Sequence, residues 1–296
     1  LITCFIATIV TERATQTMIN SKNTPDFLKT NKPERILVPA VNPQNIDKLI
    51  DLAVIIKEKS SDFPIDVVTV VKDTEEAEKK ISENRIKLQP VIEYAEKLET
   101  KIAIRTTIDL NAASGILRSA REITANKLIL GWKGKTKFAQ NIFGDMYEWL
   151  IERYNGMILI ARFLTPIKEI RELKVIVPSH FTNNHGFNEC LELIENLNTG
   201  LNTKTTLYGR NKELTIASEV VEKLNIELSF EKNVCEKHEL LSLESLEMKP
   251  TDLIVFLASR NTTSLYNNYM AQLPARFDRV TNDWSFIIVY PPQKQS

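Results

Sequence analysis

The chain has 296 residues, of which 43% are hydrophobic and 26% charged, and its 38 basic residues balance its 38 acidic ones. At roughly 150 residues per domain, this length predicts two globular domains of a soluble protein. A formal charge of zero argues against nucleic acid as a main partner, because phosphate binding needs a basic excess on some face. Three widely spaced cysteines, Cys4, Cys190 and Cys235, indicate a reducing compartment without disulfides.

The chain begins with an apolar segment, Leu1–Val10, and its first residue is not methionine. This segment is too short to span a bilayer, which takes about 20 residues, and it lacks the features of a signal peptide. We therefore expect a fragment of a longer protein, in which residues 1–13 end a truncated transmembrane helix. A buried helix of a soluble protein is the alternative. Residues 14–33 are polar, contain two prolines and predict a linker.

From residue 34 onwards, short apolar strands alternate with helical patterns. The predicted strands are 35–39, 66–71, 101–106, 127–130 and 156–161, and the predicted helices are 44–59, 74–99, 111–124 and 145–154. Pro90 is expected to break or kink the long second helix, and Asn111 is expected to open the third. Because the strands are too apolar to have a solvated face, this α/β order predicts a parallel sheet covered by helices on both sides.

The pattern then restarts, since Leu173–Pro178 repeats the strand-proline pattern of Arg35–Pro39. Further strands are predicted at 203–208, 226–230, 252–258 and 285–290, with helices at 186–197 and 211–224. The two fifth strands, 156–161 and 285–290, are candidates for edge-to-edge pairing. We therefore predict two tandem five-stranded parallel-sheet domains, residues 34–165 and 170–292, that form a pseudo-dimer.

The stretch with a chemical argument follows the fourth strand. Two residues separate Gly131 from Gly134, and nine more precede Gly144. Glycines let main-chain N–H groups approach an anion closely, and a helix N-terminus adds a favourable dipole. Parallel sheets also bind ligands at the carboxyl ends of their strands. The stretch is therefore a predicted phosphate cradle, whereas Ser259–Ser264 lacks glycine and makes the second copy a packing partner.

The strand-proline start, the Gly-x2-Gly-x9-Gly spacing and the closing apolar strand resemble a universal stress protein domain, here in tandem over residues 34–292. The resemblance implies a five-stranded parallel sheet between helices, the adenine nucleotide alpha hydrolase-like fold. Nucleotide-binding members of the family hold ATP on the glycine motif. The positions implied to contact an adenine nucleotide are Pro39, Val41, Gly131, Gly134, Gly144 and Asp145.

The same features, preceded by an apolar helix end with Thr-Glu-Arg at residues 11–13, are similar to the cytoplasmic tail of bacterial cation/proton antiporters. This implies a regulatory tail at the cytoplasmic face of the plasma membrane. Its partners would be the transmembrane antiporter domain of the same polypeptide and a second copy in a homodimer. Two alternatives stay open: a free-standing tandem universal stress protein that binds ATP or AMP, and a structural or interaction module that binds no nucleotide.

Two departures from the nucleotide-binding pattern bear on ATP, ADP or AMP as a ligand. The family motif ends in Gly-Ser or Gly-Thr, whereas Asp145 follows Gly144 here, and a carboxylate at that position repels a polyphosphate. The family also has an aspartate after the first strand, where this chain has 39–42 without a carboxylate. The sequence leaves open whether the loop binds a nucleotide weakly or whether Asp145 only caps a helix.

Trp132 in the glycine stretch has two interpretations, stacking on a base or covering the sheet edge, and the second is the more common. His180, His185, Glu189 and Cys190 lie close in sequence. A metal site needs three or four converging ligands, so we expect a solvated loop and a helix cap there, and no metal. No acid–base or nucleophile constellation is present, so we expect no enzyme and assign no catalytic residue.

Overall fold

The computed structural model describes residues 33–41, 46–58, 60–132, 140–235, 246–260 and 284–293, with the backbone alone for 140–145. The predicted membrane-helix end at 1–13, almost all of the linker and Gly134 lie outside these residues. Within the part that is described, no helix is both long and apolar enough to cross a bilayer.

The described strands form one sheet whose order is β3-β2-β1-β4-β5-β10-β9-β6-β7-β8. The strands are β1 Ile36–Pro39, β2 Ile65–Lys72, β3 Ile102–Asp109, β4 Lys127–Gly131, β5 Met157–Arg162, β6 Glu172–Ile176, β7 Lys204–Gly209, β8 Glu231–Val234, β9 Asp252–Leu257 and β10 Ser285–Tyr290. Neighbouring strands are parallel except at the centre. The strand order on one side of that centre repeats on the other, as expected for two copies of one unit.

The two copies meet where β5 and β10 pair antiparallel, with Leu159 opposite Val289 and Ile160 opposite Ile288. We call this strand pair the seam. The side chains of these four residues are at most 2% exposed. If either strand lay at the edge of a sheet, its apolar side chains and unpaired main chain would be exposed to water. Pairing of the two strands buries both. The predicted edge-to-edge pairing of the fifth strands is therefore confirmed.

Six described helices cover the sheet: α1 Ile46–Ile56, α2 Ala77–Lys97, α3 Ala112–Glu122, α4 Gln140–Arg153, α5 Phe187–Leu201 and α6 Asn211–Leu224. Helices α1, α2, α5 and α6 share one face of the sheet, while α3 and α4 pack on the other. On the first face α1 and α5 meet across the copies, where a Cβ on Gly200 would lie 2.8 Å from Ile55 Cγ2. The predicted covering of the sheet on both sides is present.

Pro90 does not break α2, since the helix runs from Ala77 to Lys97, and the predicted kink at Pro90 stays a prediction. Pro90 and Ile86, whose carbonyl loses its helical partner, both lie on the exposed face, so water can bind the freed carbonyl. Leu88 and Val91 are buried on the opposite face. Their packing fixes the helix on both sides of the proline.

The prediction of a strand at 226–230 is also wrong, since the third strand of the second copy is β8, Glu231–Val234. Ile226 and Leu228 alternate and are buried as strand residues would be. They pack into the core, whereas β8 pairs with β7 through its main chain and exposes all its side chains. An apolar pattern cannot reveal such a strand.

Helix α4 begins at Gln140, earlier than the predicted start at Asp145. Gly144 and Asp145 therefore lie inside the helix, and the interpretation of Asp145 as its N-terminal cap is wrong. An interior glycine costs a helix about 1 kcal/mol. Met146 and Leu150, one turn apart and buried against the sheet, outweigh that cost by fixing the helix.

Candidate functional site

The first five strands reverse their order between β1 and β4, which is where open α/β sheets bind ligands. Leu37 lies opposite Leu128, so the end of β1 at Pro39 and the end of β4 at Gly131 meet at one edge of the sheet. Val41 follows β1 and is 40% exposed. The structure thus brings three of the sequence-predicted site residues to the same edge.

The main chain at this edge continues the sheet. The Ala40 N–H donates to the Val68 carbonyl over 2.8 Å, and the Trp132 N–H donates to the Ala161 carbonyl over 2.7 Å. Neither N–H group is available to a phosphate in this conformation. At these two positions the main chain therefore continues the sheet and offers no donor to an anion.

Gly131 is explained by helix packing. A Cβ at this position would lie 3.1 Å from Leu49 Cδ1 on α1, and the backbone of Gly131 has no positive φ that would itself require glycine. Its missing side chain lets α1 approach β4 closely. The first glycine of the motif thus has a structural role that is independent of any ligand.

Trp132 covers the sheet edge, as the more common of its two interpretations predicted. Its ring stacks on Tyr147 of α4, with 6.1 Å between centroids, and meets Phe286 of β10 edge-on at 5.6 Å. The Tyr147 hydroxyl donates to the Gly131 carbonyl over 2.6 Å, and burial raises the pKa of Tyr147. Trp132 Nε1 is buried and has no hydrogen-bond partner in the structure as described. The indole therefore contacts both α4 and the seam.

Of the remaining predicted site residues, Gly144 and Asp145 belong to α4, and Gly134 lies outside the described residues. Contact of any of these positions with a nucleotide stays a prediction.

The second copy has a different strand end. Leu257 occupies the place of Gly131, because the next residue, Ala258, donates to the Val289 carbonyl as Trp132 donates to Ala161. A leucine side chain at this position prevents the close approach of a helix that Gly131 allows at the end of β4. This agrees with the absence of a glycine loop from this part of the sequence.

Sequence reasoning missed Arg260, which follows β9 and is 1% exposed. Its guanidinium donates to the carbonyls of Ile151, Tyr154 (2.6 Å), Gly156 (2.5 Å) and Pro291 (3.0 Å). Burial lowers the pKa of Arg260 to about 10, so it stays protonated at neutral pH. In the sequence, Arg260 is marked only by its position directly after an apolar strand. That position does not reveal carbonyl acceptors that are distant in the chain.

The residues considered for a metal site do not converge. The His180 N–H donates to Glu213 Oε1 over 2.9 Å, and Cys190 is packed inside the core under α5. Burial raises the pKa of the Cys190 thiol. Among the residues that the structure describes, no three His, Cys, Asp or Glu side chains form a group that could hold a metal.

Comparison with known proteins gives a match in sequence to a membrane transporter. Over 135 residues, 44% of this chain, it is 29% identical to the Na(+)/H(+) antiporter NhaS5 of Synechocystis sp. (strain ATCC 27184 / PCC 6803 / Kazusa). The chain spans about a fifth of the length of that relative, 19%. No family model matches the chain.

Solved structures match over nearly the whole chain. The cytoplasmic domain of a prokaryotic cation chloride cotransporter has a TM-score of 0.59 at 11% identity, over 89% of this chain and 97% of its own. A universal stress protein from Archaeoglobus fulgidus DSM 4304 also has a TM-score of 0.59 at 11% identity, over 88% and 97%. The chain therefore has the universal stress protein fold, as its sequence predicted.

Proposed function

We propose that this chain is a regulatory module of a monovalent cation/proton antiporter. It would lie at the cytoplasmic face of the plasma membrane, attached to the transport domain of the same polypeptide. The observation that carries the proposal is the match of 135 residues to an Na+/H+ antiporter. It is supported by the occurrence of this fold in the cytoplasmic domain of a cation chloride cotransporter.

Such a module acts through its contacts, without moving ions itself. A tail changes transport only if it contacts one conformation of the transport domain more favourably than another. The transport residues would belong to the other part of the polypeptide. Accordingly, no residue of this chain is assigned to ion binding.

The test of this proposal is a comparison of the full-length polypeptide with a version that lacks residues 34–296. Both would be produced at equal membrane levels, and Na+/H+ exchange would be followed in everted vesicles by a pH-sensitive dye. We expect the truncated protein to keep exchange but to change its apparent Na+ affinity or its pH dependence. Identical curves would refute the regulatory role, and an initiator codon just upstream of Leu1 would favour a free-standing protein.

The finer part of the proposal is that the first copy senses an adenine nucleotide at the ends of β1 and β4. Its support is the position of Pro39, Val41 and Gly131 at the reversal of strand order. Val41 would contact the base, and the glycine motif would approach the phosphates. Because the N–H groups of Ala40 and Trp132 are already bonded within the sheet, we propose weak binding.

Calorimetric titration of ATP, ADP and AMP into the 296-residue chain tests this site. Val41→Glu places a carboxylate at the site, while Val234→Glu is a matched control, since Val41 is 40% and Val234 44% exposed, each at or just after a strand end. We expect saturable heat in the native chain and in the control, and its loss in Val41→Glu. No heat at millimolar nucleotide would show that the glycine motif serves packing alone.

A further inference from the structure

Helix α4 of the first copy is held at its carboxyl end by an arginine of the second copy. Arg260 is fully buried, and two of its acceptors, the carbonyls of Ile151 and Tyr154, belong to the last turn of α4 and its end. Carbonyls at a helix end lack helical partners and carry partial negative charge. A planar guanidinium with five donors can satisfy several of them at once.

Near its middle, the same helix is linked to the second copy through Trp132 of the first copy. Tyr147 of α4 stacks on Trp132 and donates to the Gly131 carbonyl. Trp132 in turn lies edge-on to Phe286 of β10, on the far side of the seam. Gly131 and Trp132 are the residues at which β4 ends, beside Pro39. One helix therefore joins the candidate site to two places in the second copy.

At the described strand ends, the residue that makes the contact across the seam differs between the two copies. Where the first copy has Gly131 followed by Trp132, the second copy has Leu257 followed by Ala258, and an alanine cannot reach across the seam as an indole does. The two copies therefore differ at this strand end. The end of β4, which could admit a ligand, is followed directly by Trp132, whose side chain contacts the second copy.

We propose that α4 couples the strand-end site of the first copy to the second copy, with Trp132 and Arg260 as its two contacts across the molecule. The proposal rests on the proposed function only for the ligand that would enter the site. The mechanical part stands on the contacts themselves. A movement of the β4 end shifts Trp132 against Phe286, and a shift of α4 changes the carbonyls that Arg260 holds.

Hydrogen–deuterium exchange of the 296-residue chain tests the mechanical part without ligand. Arg260→Met removes the donors from the second copy, while Arg85→Met changes an exposed arginine on α2, on the other face of the sheet, and serves as the control. We expect amides of α4 to exchange at least about tenfold faster in Arg260→Met, with α1 amides on the opposite face as the internal standard. An unchanged α4 would overturn the proposal.

A second variant separates coupling from general loss of stability. Phe286→Leu keeps an apolar side chain on β10 but removes the ring that Trp132 contacts. It should speed the exchange of α4 amides around Tyr147 more than that of the α1 amides, and an equal effect on both would count against coupling. The ligand experiment repeats the exchange with saturating ATP. Slower exchange near Arg260 and in β10 would support coupling. Binding heat in calorimetry with no change of exchange in the second copy would refute the coupling, although nucleotide binding itself would stand.

If calorimetry shows no binding, the nucleotide part of the proposed function fails. The ligand-free comparison of Arg260→Met with Arg85→Met then decides the coupling by itself.

Discussion

Leu49 on α1 lies so close to Gly131 at the end of β4 that an added Cβ would be 3.1 Å from its Cδ1 atom. The second copy has Leu257 at the matching place on β9, and its side chain is fully buried in the same core cluster as Leu49. Gly131 is thus part of a packing pair as well as of a sequence motif.

This pair predicts a measurable coupling. Gly131→Ala should lower the free energy of unfolding by about 1 kcal/mol, because Leu49 must move by a few tenths of an ångström. In a Leu49→Ala background the same substitution should cost almost nothing, which gives an interaction energy of about 1 kcal/mol in a double-mutant cycle. Urea denaturation of the four proteins provides the values.

Gly115→Ala is the matched control for that cycle. Its Cβ would lie 2.5 Å from Val70 Cγ1, and a β-branched side chain on a strand cannot easily retreat. We expect it to cost more than Gly131→Ala and to be unaffected by Leu49→Ala. Equal costs in both backgrounds for Gly131→Ala would show that the two residues are not coupled.

Because the seam is a buried strand pair shared by both copies, we expect the two copies to unfold together. Ile288→Ala removes a side chain that is 1% exposed on β10, and such a truncation costs about 2–5 kcal/mol. Because β10 pairs with β5, the loss should also lower the urea midpoint at which the α3 amides of the first copy lose protection from hydrogen exchange. Ile86→Ala, at a side chain that is 75% exposed, should change stability by less than about 0.5 kcal/mol.

A first-copy midpoint that stays fixed in Ile288→Ala would mean that the copies unfold independently. In that case the seam would join two separately stable halves.

The sequence predicts those elements whose start and end are marked by the local pattern of apolar residues. Strand β10 and helix α6 begin and end where the sequence predicts, and the apolar fifth strands indicate their own pairing. Strand β8 could not be predicted, since its side chains are all exposed and it is defined by main-chain pairing with β7. Arg260 could not be predicted either, because its carbonyl acceptors come from residues that are far away in the chain.

The candidate site shows the same division. The positions of Pro39, Val41 and Gly131 follow from the strand order, which the alternation of strands and helices indicates. The start of α4 does not, because it depends on how Met146 and Leu150 pack against the sheet.

The raised pKa of Asp51 predicts that the folded state loses stability as the pH rises. The Tyr94 hydroxyl donates to Asp51 Oδ1 over 2.6 Å. Burial raises the pKa of Asp51, although that hydrogen bond and the charge of Lys168 oppose the shift. A folded-state pKa above the unfolded value means that stability is present at low pH and lost as pH rises through the folded pKa. The ionised carboxylate therefore disfavours the folded state at neutral pH.

Asp51→Asn should accordingly be more stable than the native chain at pH 7, and its advantage should vanish below the unfolded pKa of about 3.9. Melting temperatures across this pH range measure the difference. Asp47→Asn, in the first turn of the same helix, should change the melting temperature much less, because the lost interaction with the helix dipole is offset by relief of its repulsion from Asp51. A lower melting temperature for Asp51→Asn at pH 7 would contradict the argument.

The cysteines predict a selective labelling pattern. Cys190 is fully buried in the core beneath α5, whereas Cys235 is half-buried and follows β8 at the sheet edge. Burial raises the pKa of both thiols, and the thiolate is the reactive form. With iodoacetamide at pH 8, peptide mapping should find Cys235 labelled slowly in the native chain. Cys190 should react only in denaturant, in step with global unfolding, because α5 packs against α1 across the two copies. Labelling of Cys190 at the rate of Cys235 would show that α5 opens locally, and that the helix layer over the seam is not part of the cooperative core.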